Sequence, residues 1–220
     1  MSIKKRLLSI LVIAIIQPGC YELTNRLNSG GTAVPETWLD KIIPVWPIWS
    51  VMYLLLISFW SIALIYMALK MEERLYRAAF TAAVLTIVPA MTIFILWPNY
   101  IIRPELVGSN IFTRILQWVY NFDSPYNALP SGHMYMTILT GLYFTRWYPK
   151  VKWWMVLITI LMIPSTLFTK QHVILDLIAA TVLAIIADRL AIWWVFKHET
   201  GRKKENLTAL GAVPHNKMLL

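Results

Sequence analysis

Long apolar runs separated by short polar segments form the main pattern along the chain. A helix needs about 20 apolar residues to cross the hydrocarbon core of a membrane. Six runs predict such helices, at about residues 7–23, 45–69, 78–97, 131–147, 153–168 and 173–195. Pro18-Gly19 interrupts the first run, and the fourth run is short. The pattern predicts an all-α, polytopic membrane protein, with a six-helix transmembrane bundle at residues 1–197 and a polar cytoplasmic tail at residues 198–220.

The polar segments between the runs differ in length and character. Residues 25–44 predict a loop with a short surface helix at Thr37–Ile42. Residues 70–77 predict a tight charged turn, and residues 169–171 predict a very short connection. The longest break, Pro98–Pro130, contains four prolines and predicts a long loop.

The composition agrees with a membrane protein. Hydrophobic residues make up 58% of the 220 positions and charged residues only 14%, whereas a soluble domain needs more charge to cover its surface. The 11 Trp and 10 Tyr residues suit the aromatic belts of a membrane protein. The net charge is +9, but no basic stripe with interleaved stacking residues is present, so no nucleic-acid partner is predicted.

Cys20 is the only cysteine, which excludes an internal disulfide bond. The basic start followed by an apolar run resembles a signal peptide. The residues before Cys20 make a poor cleavage site, so we expect the first helix to be retained.

The distribution of Lys and Arg predicts how the bundle is oriented. One side of the predicted topology receives most basic residues, namely Lys4, Lys5, Arg6, Lys70, Arg74, Arg77, Arg146, Lys150, Lys152, Arg189 and those of the tail. The other side receives only Arg26, Lys41, Arg103, Arg114 and Lys170. Because cytoplasmic segments carry the excess, both termini are predicted to be cytoplasmic. Residues 98–130 and 169–171 then face the exterior, which is the periplasm for a bacterial inner membrane and the lumen in a eukaryote.

Two of the four histidines lie at the outer ends of predicted helices. His133 begins the fourth run and His172 precedes the sixth, so the topology places both on one membrane face. Asp176 follows His172 by four positions, and such positions share a helix face. Its carboxylate can fix the tautomer of the imidazole and leave the second nitrogen basic. The alternative is a purely structural His–Asp contact. His198 and His215, in the tail, are expected to be solvated.

The residues just before His133 suggest an anion site. In Pro130-Ser131-Gly132-His133, a helix begins after a proline and a glycine, so free backbone N–H groups and the helix dipole attract an anion. Ser131 adds a hydroxyl donor. The alternative is an ordinary helix cap by Ser131, and the two interpretations are compatible.

Two cations on the same face are candidate phosphate ligands. Arg103, beyond the third run, can bind phosphate in a bidentate manner, or it can be an interfacial residue that reaches to the membrane surface. Lys170, two positions before His172, has the same alternative. No zinc-spaced cysteines, acidic Mg²⁺ cluster or P-loop is present, so no metal or other cofactor is predicted. Metal-free phosphate chemistry needs cations, a nucleophile and an acid, and these residues supply them.

Together these residues resemble the type 2 phosphatidic acid phosphatase superfamily, which has the motifs Lys-x6-Arg-Pro, Pro-Ser-Gly-His and Ser-Arg-x5-His-x3-Asp. The second motif is complete at residues 130–133, and Arg103-Pro104 ends the first. The third is present as Ser165-Thr166-x5-His172-x3-Asp176. Two positions depart from the motifs: Leu96 replaces the Lys and Thr166 replaces the Arg. Residues 123–131 and 165–172 further resemble inositol phosphorylceramide synthases and their bacterial relatives.

The resemblance implies a role for each residue. His172 attacks phosphorus and forms a phosphohistidine, and Asp176 orients it. His133 protonates the leaving oxygen and then activates the water or alcohol that resolves the intermediate. The phosphoryl oxygens are held by Arg103, Ser131, the Gly132 amide and Lys170, which is a candidate replacement for one missing cation.

Three functions remain open at this stage. The leading one is a metal-independent lipid phosphatase whose substrate is a lipid phosphate or an isoprenoid diphosphate that enters from the membrane lipids. The second is a phosphotransferase that passes phosphate, or a phosphate-linked head group, to a lipid or sugar alcohol. The third, motivated by the two missing cations, is a non-catalytic membrane transporter or scaffold. The particular lipid and the oligomeric state are not predicted.

Overall fold

The computed structural model describes the backbone of residues 1–27 and 31–209, and the side chains of these residues except 16–18, 26–27 and 198–209. The described part contains eight α-helices: α1 (Ile3–Leu27), α2 (Trp38–Ile42), α3 (Trp49–Lys70), α4 (Glu73–Leu96), α5 (Ile111–Phe122), α6 (Gly132–Trp147), α7 (Lys152–Phe168) and α8 (Ile174–Ala209). Two two-residue strands, β1 (Thr32–Ala33) and β2 (Asn99–Tyr100), and a 3-10 turn at Pro149–Val151 accompany them. The all-α prediction is therefore confirmed.

Four helical segments are long and apolar enough to cross a membrane: Ile3–Asn25, Trp49–Lys70, Glu73–Leu96 and Pro149–Phe168. They indicate a membrane protein. The 16-residue α6 is only about 24 Å long at 1.5 Å per residue, shorter than a hydrocarbon core of about 30 Å. The six-span count stays a prediction.

The ends of the first and last long helices differ from the predicted runs. α1 is continuous through Pro18-Gly19, where the sequence predicts a break. α8 begins at Ile174 as expected but continues to Ala209, well past the predicted end at residue 195. The Lys and Glu residues beyond that point are good helix formers, so the helix outlasts its apolar part. Residues 210–220 of the predicted tail, with His215, lie outside the described residues.

The start of α4 also corrects the sequence analysis. The predicted charged turn at residues 70–77 shrinks to two residues, because α4 begins at Glu73. The side chain of Glu72 accepts hydrogen bonds from the amides of Arg74 and Leu75. A carboxylate in this position satisfies the first N–H groups of the helix and complements its dipole.

The predicted long loop at residues 98–130 contains a helix that the search for 20-residue runs misses. α5 is amphipathic and is capped by Asn110, whose side chain accepts from the amide of Thr113. Leu116 and Val119 face the interior. Ile111, Trp118 and Phe122 are exposed, as expected of a helix that lies along a membrane surface.

The helices pack around α6, which contacts α3, α4, α7 and α8. Most α6 side chains from Met134 to Tyr143 are buried. α6 and α8 run in the same direction. Near their far ends Arg146 holds Asp188 through two hydrogen bonds of 2.6 Å each. The short surface helix predicted at Thr37–Ile42 is confirmed as α2.

The segments before α6 are held by close backbone contacts. β1 and β2 pair in parallel, and a Cβ added at Gly31 would lie 2.6 Å from the carbonyl oxygen of Pro98, so only glycine fits there. The Asn99 side chain donates to the Leu129 carbonyl at 3.2 Å and accepts from the Leu129 amide at 2.8 Å. These bonds fix the chain just before Ser131.

Candidate active site

The two predicted site histidines meet at the ends of two helices. His133 is in the first turn of α6, and His172 lies two residues before α8. His133 Nδ1 is 3.2 Å from His172 Nε2, and His172 Nδ1 is 3.1 Å from Asp176 Oδ2. His172 is 6% exposed and Asp176 is fully buried. The predicted pairing of His172 with Asp176 is therefore present, and His133 is directly bonded to the pair.

The start of α6 is organised by Ser131. Its side chain accepts from the amide of Met134 at 3.3 Å, and its backbone amide donates to the Asp176 carbonyl at 3.2 Å. The first N–H groups of a helix have no partner inside the helix. In α6 these include the amides of Gly132 and His133, beside the imidazole pair. The cap predicted for Ser131 is therefore present, and its part in an anion site stays a prediction.

A tight turn presents His172. The amides of Gln171 and His172 both donate to the Thr166 carbonyl, at 2.9 and 3.3 Å. Lys170 has a positive φ of 50°, which reverses the chain between α7 and α8. Asp176 also accepts from the Val173 amide at 3.0 Å, so the carboxylate fixes both the imidazole and the backbone beside it.

A buried carboxylate on α2, not singled out by the sequence analysis, supports the same turn. Asp40 accepts from the Ile174 amide at 2.9 Å with one oxygen and from the Thr37 amide at 2.8 Å with the other. It thereby caps α2 and the start of α8 at once. The Lys170 ammonium donates to the Asp40 carbonyl at 2.8 Å, so this predicted phosphate ligand is engaged at α2 rather than with the histidines.

Arg103 reaches the histidine turn through Gln171. Its guanidinium donates to the carbonyls of Asp123 and Ser124, at 2.6 and 3.1 Å, and to Gln171 Oε1. It also lies 4.7 Å from the centre of the Tyr120 ring. Burial raises the pKa of the Tyr120 hydroxyl to about 12, so that hydroxyl stays protonated and donates to the Thr169 carbonyl at 2.8 Å.

Three buried polar atoms in this region lack a partner among the described residues: Arg103 Nε, Gln171 Nε2 and Asp176 Oδ1. Since Arg is only a donor, the Gln171 atom that contacts it must be the oxygen. The amide nitrogen of Gln171 is then an unused donor, as is Arg103 Nε. Buried donors are usually satisfied, and two unused ones beside the His172 turn match the needs of an anionic oxygen.

The two positions that depart from the family motifs are elsewhere engaged or exposed. Leu96 is 79% exposed at the end of α4. Thr166 is fully buried, and its hydroxyl donates to carbonyls of its own helix at 3.1 and 3.0 Å. Neither side chain offers a charge to the site.

Two tyrosines and an aspartate extend the site beyond the predicted residues. The Tyr53 hydroxyl lies 2.7 Å from His133 Nε2 and donates to Asp123 Oδ2 at 2.8 Å. The Tyr21 hydroxyl donates to Asp123 Oδ1 at 3.1 Å. The one sequence signal for Asp123 is that it begins residues 123–131, which resemble inositol phosphorylceramide synthases and their bacterial relatives. In the sequence Tyr53 lies within an apolar run, where a tyrosine is expected to belong to the interfacial aromatic residues.

The match of a family model places this helical bundle among membrane proteins of the phosphatase and phosphotransferase type. The family model of the PAP2 superfamily matches residues 23–190. The chain belongs to the PAP2 superfamily. No curated protein and no solved structure matches it.

Proposed function

We propose that this protein is a six-span membrane lipid phosphatase that works through a phosphohistidine on His172, without a metal. The observation that carries the proposal is the hydrogen-bonded series from His133 to His172 to Asp176. It provides a nucleophile, a group that orients it, and an acid within reach of the same phosphorus atom. Membership of the PAP2 superfamily supports the reaction class.

In the first step, His172 Nε2 attacks phosphorus and the bond from phosphorus to the leaving oxygen breaks. Asp176 holds the proton on Nδ1, which keeps the lone pair on Nε2 and stabilises the positive charge that develops on the ring. His133 donates its proton to the leaving oxygen, so the lipid leaves as an alcohol, or as a monophosphate if the substrate is a diphosphate.

In the second step, His133, now neutral, takes a proton from water as the water oxygen attacks phosphorus. The nitrogen–phosphorus bond breaks, its electron pair returns to His172 Nε2, and phosphate is released. His133 is again protonated and the cycle is complete.

The phosphoryl oxygens are held by donors from three segments. The amides of Gly132 and His133, with the Ser131 hydroxyl, form the helix-end part of the cradle. Arg103 and Gln171 contribute their unused N–H groups, which offset the loss of the family cations at Leu96 and Thr166. Lys170 could join them only by leaving the Asp40 carbonyl.

One surface groove suits the hydrocarbon part of a lipid. It has a volume of about 450 Å³ and lies between α3 and α5, open to the surface. It is lined by Val51, Leu54, Leu55, Ser58, Arg114, Ile115 and Trp118. Leu54 adjoins Tyr53, whose hydroxyl contacts His133. An apolar groove with one cation at its edge favours an anionic amphiphile.

The arrangement of basic residues supports an outward-facing site. Arg6 donates to the Met71 carbonyl at 2.5 Å and Arg74 to the Phe196 carbonyl at 2.9 Å, which groups the starts of α1 and α4 with the apolar end of α8. His133 and His172 lie at the opposite ends of α6 and α8. If the basic end is cytoplasmic, the site faces the exterior and both termini are inside. A Cys20→Ser, Val107→Cys protein tests this orientation with a thiol reagent that cannot cross the membrane. Labelling of position 107 from the cytoplasmic side would contradict the outward-facing site.

The central test is phosphate release by the detergent-purified protein from phosphatidic acid, isoprenoid diphosphates and sphingoid phosphates, with and without EDTA. We expect release that EDTA leaves unchanged. His172→Ala should abolish it, and Asp176→Asn should lower it at least about a hundredfold. His198→Ala, on the distal part of α8, is the matched control. Equal activity of His172→Ala and wild type would refute the mechanism, and transfer of phosphate to an added alcohol in place of water would favour the phosphotransferase.

A further inference from the structure

Five side chains form one continuous series of hydrogen bonds. Asp123 is bonded to Tyr53, Tyr53 to His133, His133 to His172, and His172 to Asp176. The four heavy-atom distances are 2.8, 2.7, 3.2 and 3.1 Å. A carboxylate therefore lies at each end of the series. The family motifs include Asp176 but not Asp123.

The number of protons in this series is fixed by its bonds. Four hydrogen bonds need four protons, but with both carboxylates ionised and both imidazoles neutral, Tyr53, His133 and His172 supply only three. The fourth proton belongs on the imidazole pair, because imidazole is far more basic than a carboxylate. A site with a proton in each of the four bonds carries one imidazolium between Tyr53 and Asp176.

The direction of each bond then follows. Asp123 receives a hydroxyl proton from Tyr21 on one oxygen and from Tyr53 on the other. The Tyr53 hydroxyl uses its only proton in the hydrogen bond that it donates to Asp123. Its oxygen can therefore only accept a hydrogen bond from His133 Nε2. At the other end, His172 Nδ1 gives its proton to Asp176, so the remaining proton lies between His133 Nδ1 and His172 Nε2.

We infer that Tyr53 and Asp123 are positioning residues that hold His133 in its protonated form, ready to donate to the leaving oxygen. The inference rests on the proposed phosphatase mechanism. When a substrate phosphate approaches His172 Nε2, before any bond to phosphorus forms, the shared proton is left on His133 Nδ1, while His133 Nε2 stays bonded to Tyr53. His172 then has a free lone pair and His133 is an acid.

The charged and titratable groups that face His133 come from several elements. Tyr53 faces it from α3, His172 and Asp176 face it from the α8 side, and Asp123 faces it from behind Tyr53. The Arg103 guanidinium binds the backbone carbonyl of Asp123 at 2.6 Å and so fixes that residue in place. Tyr53, at 2% exposed, keeps bulk water from the outer nitrogen of His133.

The test compares leaving groups. An alkyl lipid phosphate needs a proton on its leaving oxygen, whereas a nitrophenyl phosphate ester leaves without one. For Tyr53→Phe and Asp123→Asn we expect phosphoryl transfer from the alkyl ester to fall about 10- to 100-fold, with at most a few-fold loss in the nitrophenol burst. The basic limb of the pH–rate profile should move to lower pH. Tyr66→Phe, on the same helix as Tyr53 but with its ring against Phe144 and Trp147, should leave that limb in place.

The outcomes separate this inference from the proposed function. A wild type without phosphatase activity refutes the function. An activity that needs His172 but shows equal losses on both esters in Tyr53→Phe, with an unmoved pH limb, refutes only the positioning role. Nitrogen NMR of the wild-type protein with labelled histidines tests the inference without a variant. We expect an imidazolium in the buried histidine pair at neutral pH. Two neutral imidazole rings would overturn the inference. His133→Gln assigns the signal.

Discussion

The buried ion pair between α6 and α8 offers the clearest energetic prediction. Arg146 and Asp188 share two hydrogen bonds of 2.6 Å, and their side chains are 31% and 3% exposed. Arg146 is the charged partner of the buried Asp188 carboxylate. Arg146→Met keeps the length of the side chain but removes every donor, which leaves the carboxylate buried and uncompensated.

The expected loss can be worked from this geometry. Removing one partner of a fully buried pair costs about 3–5 kcal/mol. About a third of the Arg146 side chain is exposed, so water reaches the vacated position and the loss falls to about 2–3 kcal/mol. In a chain of this size that corresponds to a lowering of Tm by about 4–12 °C. Replacing both residues, as Arg146→Met with Asp188→Leu, removes the stranded charge and should recover most of the loss.

The assay is thermal unfolding in one detergent, followed by the loss of monodisperse protein on size-exclusion chromatography. The ion pair lies 12 or 13 residues along each helix from the site, a distance of about 20 Å, so phosphate release per folded molecule should stay near wild type. If the double variant is as unstable as Arg146→Met, the loss comes from packing and the electrostatic reasoning is wrong. An unchanged Tm in Arg146→Met would refute it as well.

Two further predictions concern backbone support and need only thermal unfolding and activity assays. Asp40→Ala should lower Tm by about 4–8 °C, because two helix caps of about 1 kcal/mol each are lost, and should lower kcat by freeing the histidine turn, whereas the exposed Glu36→Gln should do neither. Gly31→Ala should cost about 1–3 kcal/mol through overlap with the Pro98 carbonyl, and a Tm equal to wild type would contradict the close approach. Gly19→Ala, with open space around its position, should be neutral or stabilising.

Much of the fold follows from hydrophobic length alone. The apolar runs give the six longest described helices to within several residues at most ends, because a membrane demands uninterrupted apolar sequence. The search by length fails where other physics decides. α5 is short and amphipathic, so the sequence marks it only by the cap residue Asn110 and by apolar residues at helical spacing. The extension of α8 depends on helix propensity, which an apolar count does not measure.

The site shows the same division. His172 and Asp176 are recognisable by their spacing of four positions, and His133 by the Pro-Ser-Gly-His segment that contains it. Tyr53 and Asp123 join them through contacts between distant segments, and no local pattern distinguishes a bonded tyrosine from an interfacial one. Gln171 lies next to His172, but only its contact with the distant Arg103 marks it. Lys170 illustrates the reverse case, since its position beside His172 suggests a phosphate ligand while its ammonium is bonded to the Asp40 carbonyl.

The position of Asp40 gives α2 a use in spectroscopy. Trp38 and Ile42 of this helix are 71% and 66% exposed, yet the carboxylate between them is bonded to the segment that carries His172. The sequence has one cysteine, Cys20, so a Cys20→Ser, Trp38→Cys protein accepts a single spin label or fluorophore. A probe there sits outside the catalytic chemistry and still reports, through Asp40, whether the nucleophile turn keeps its place during turnover.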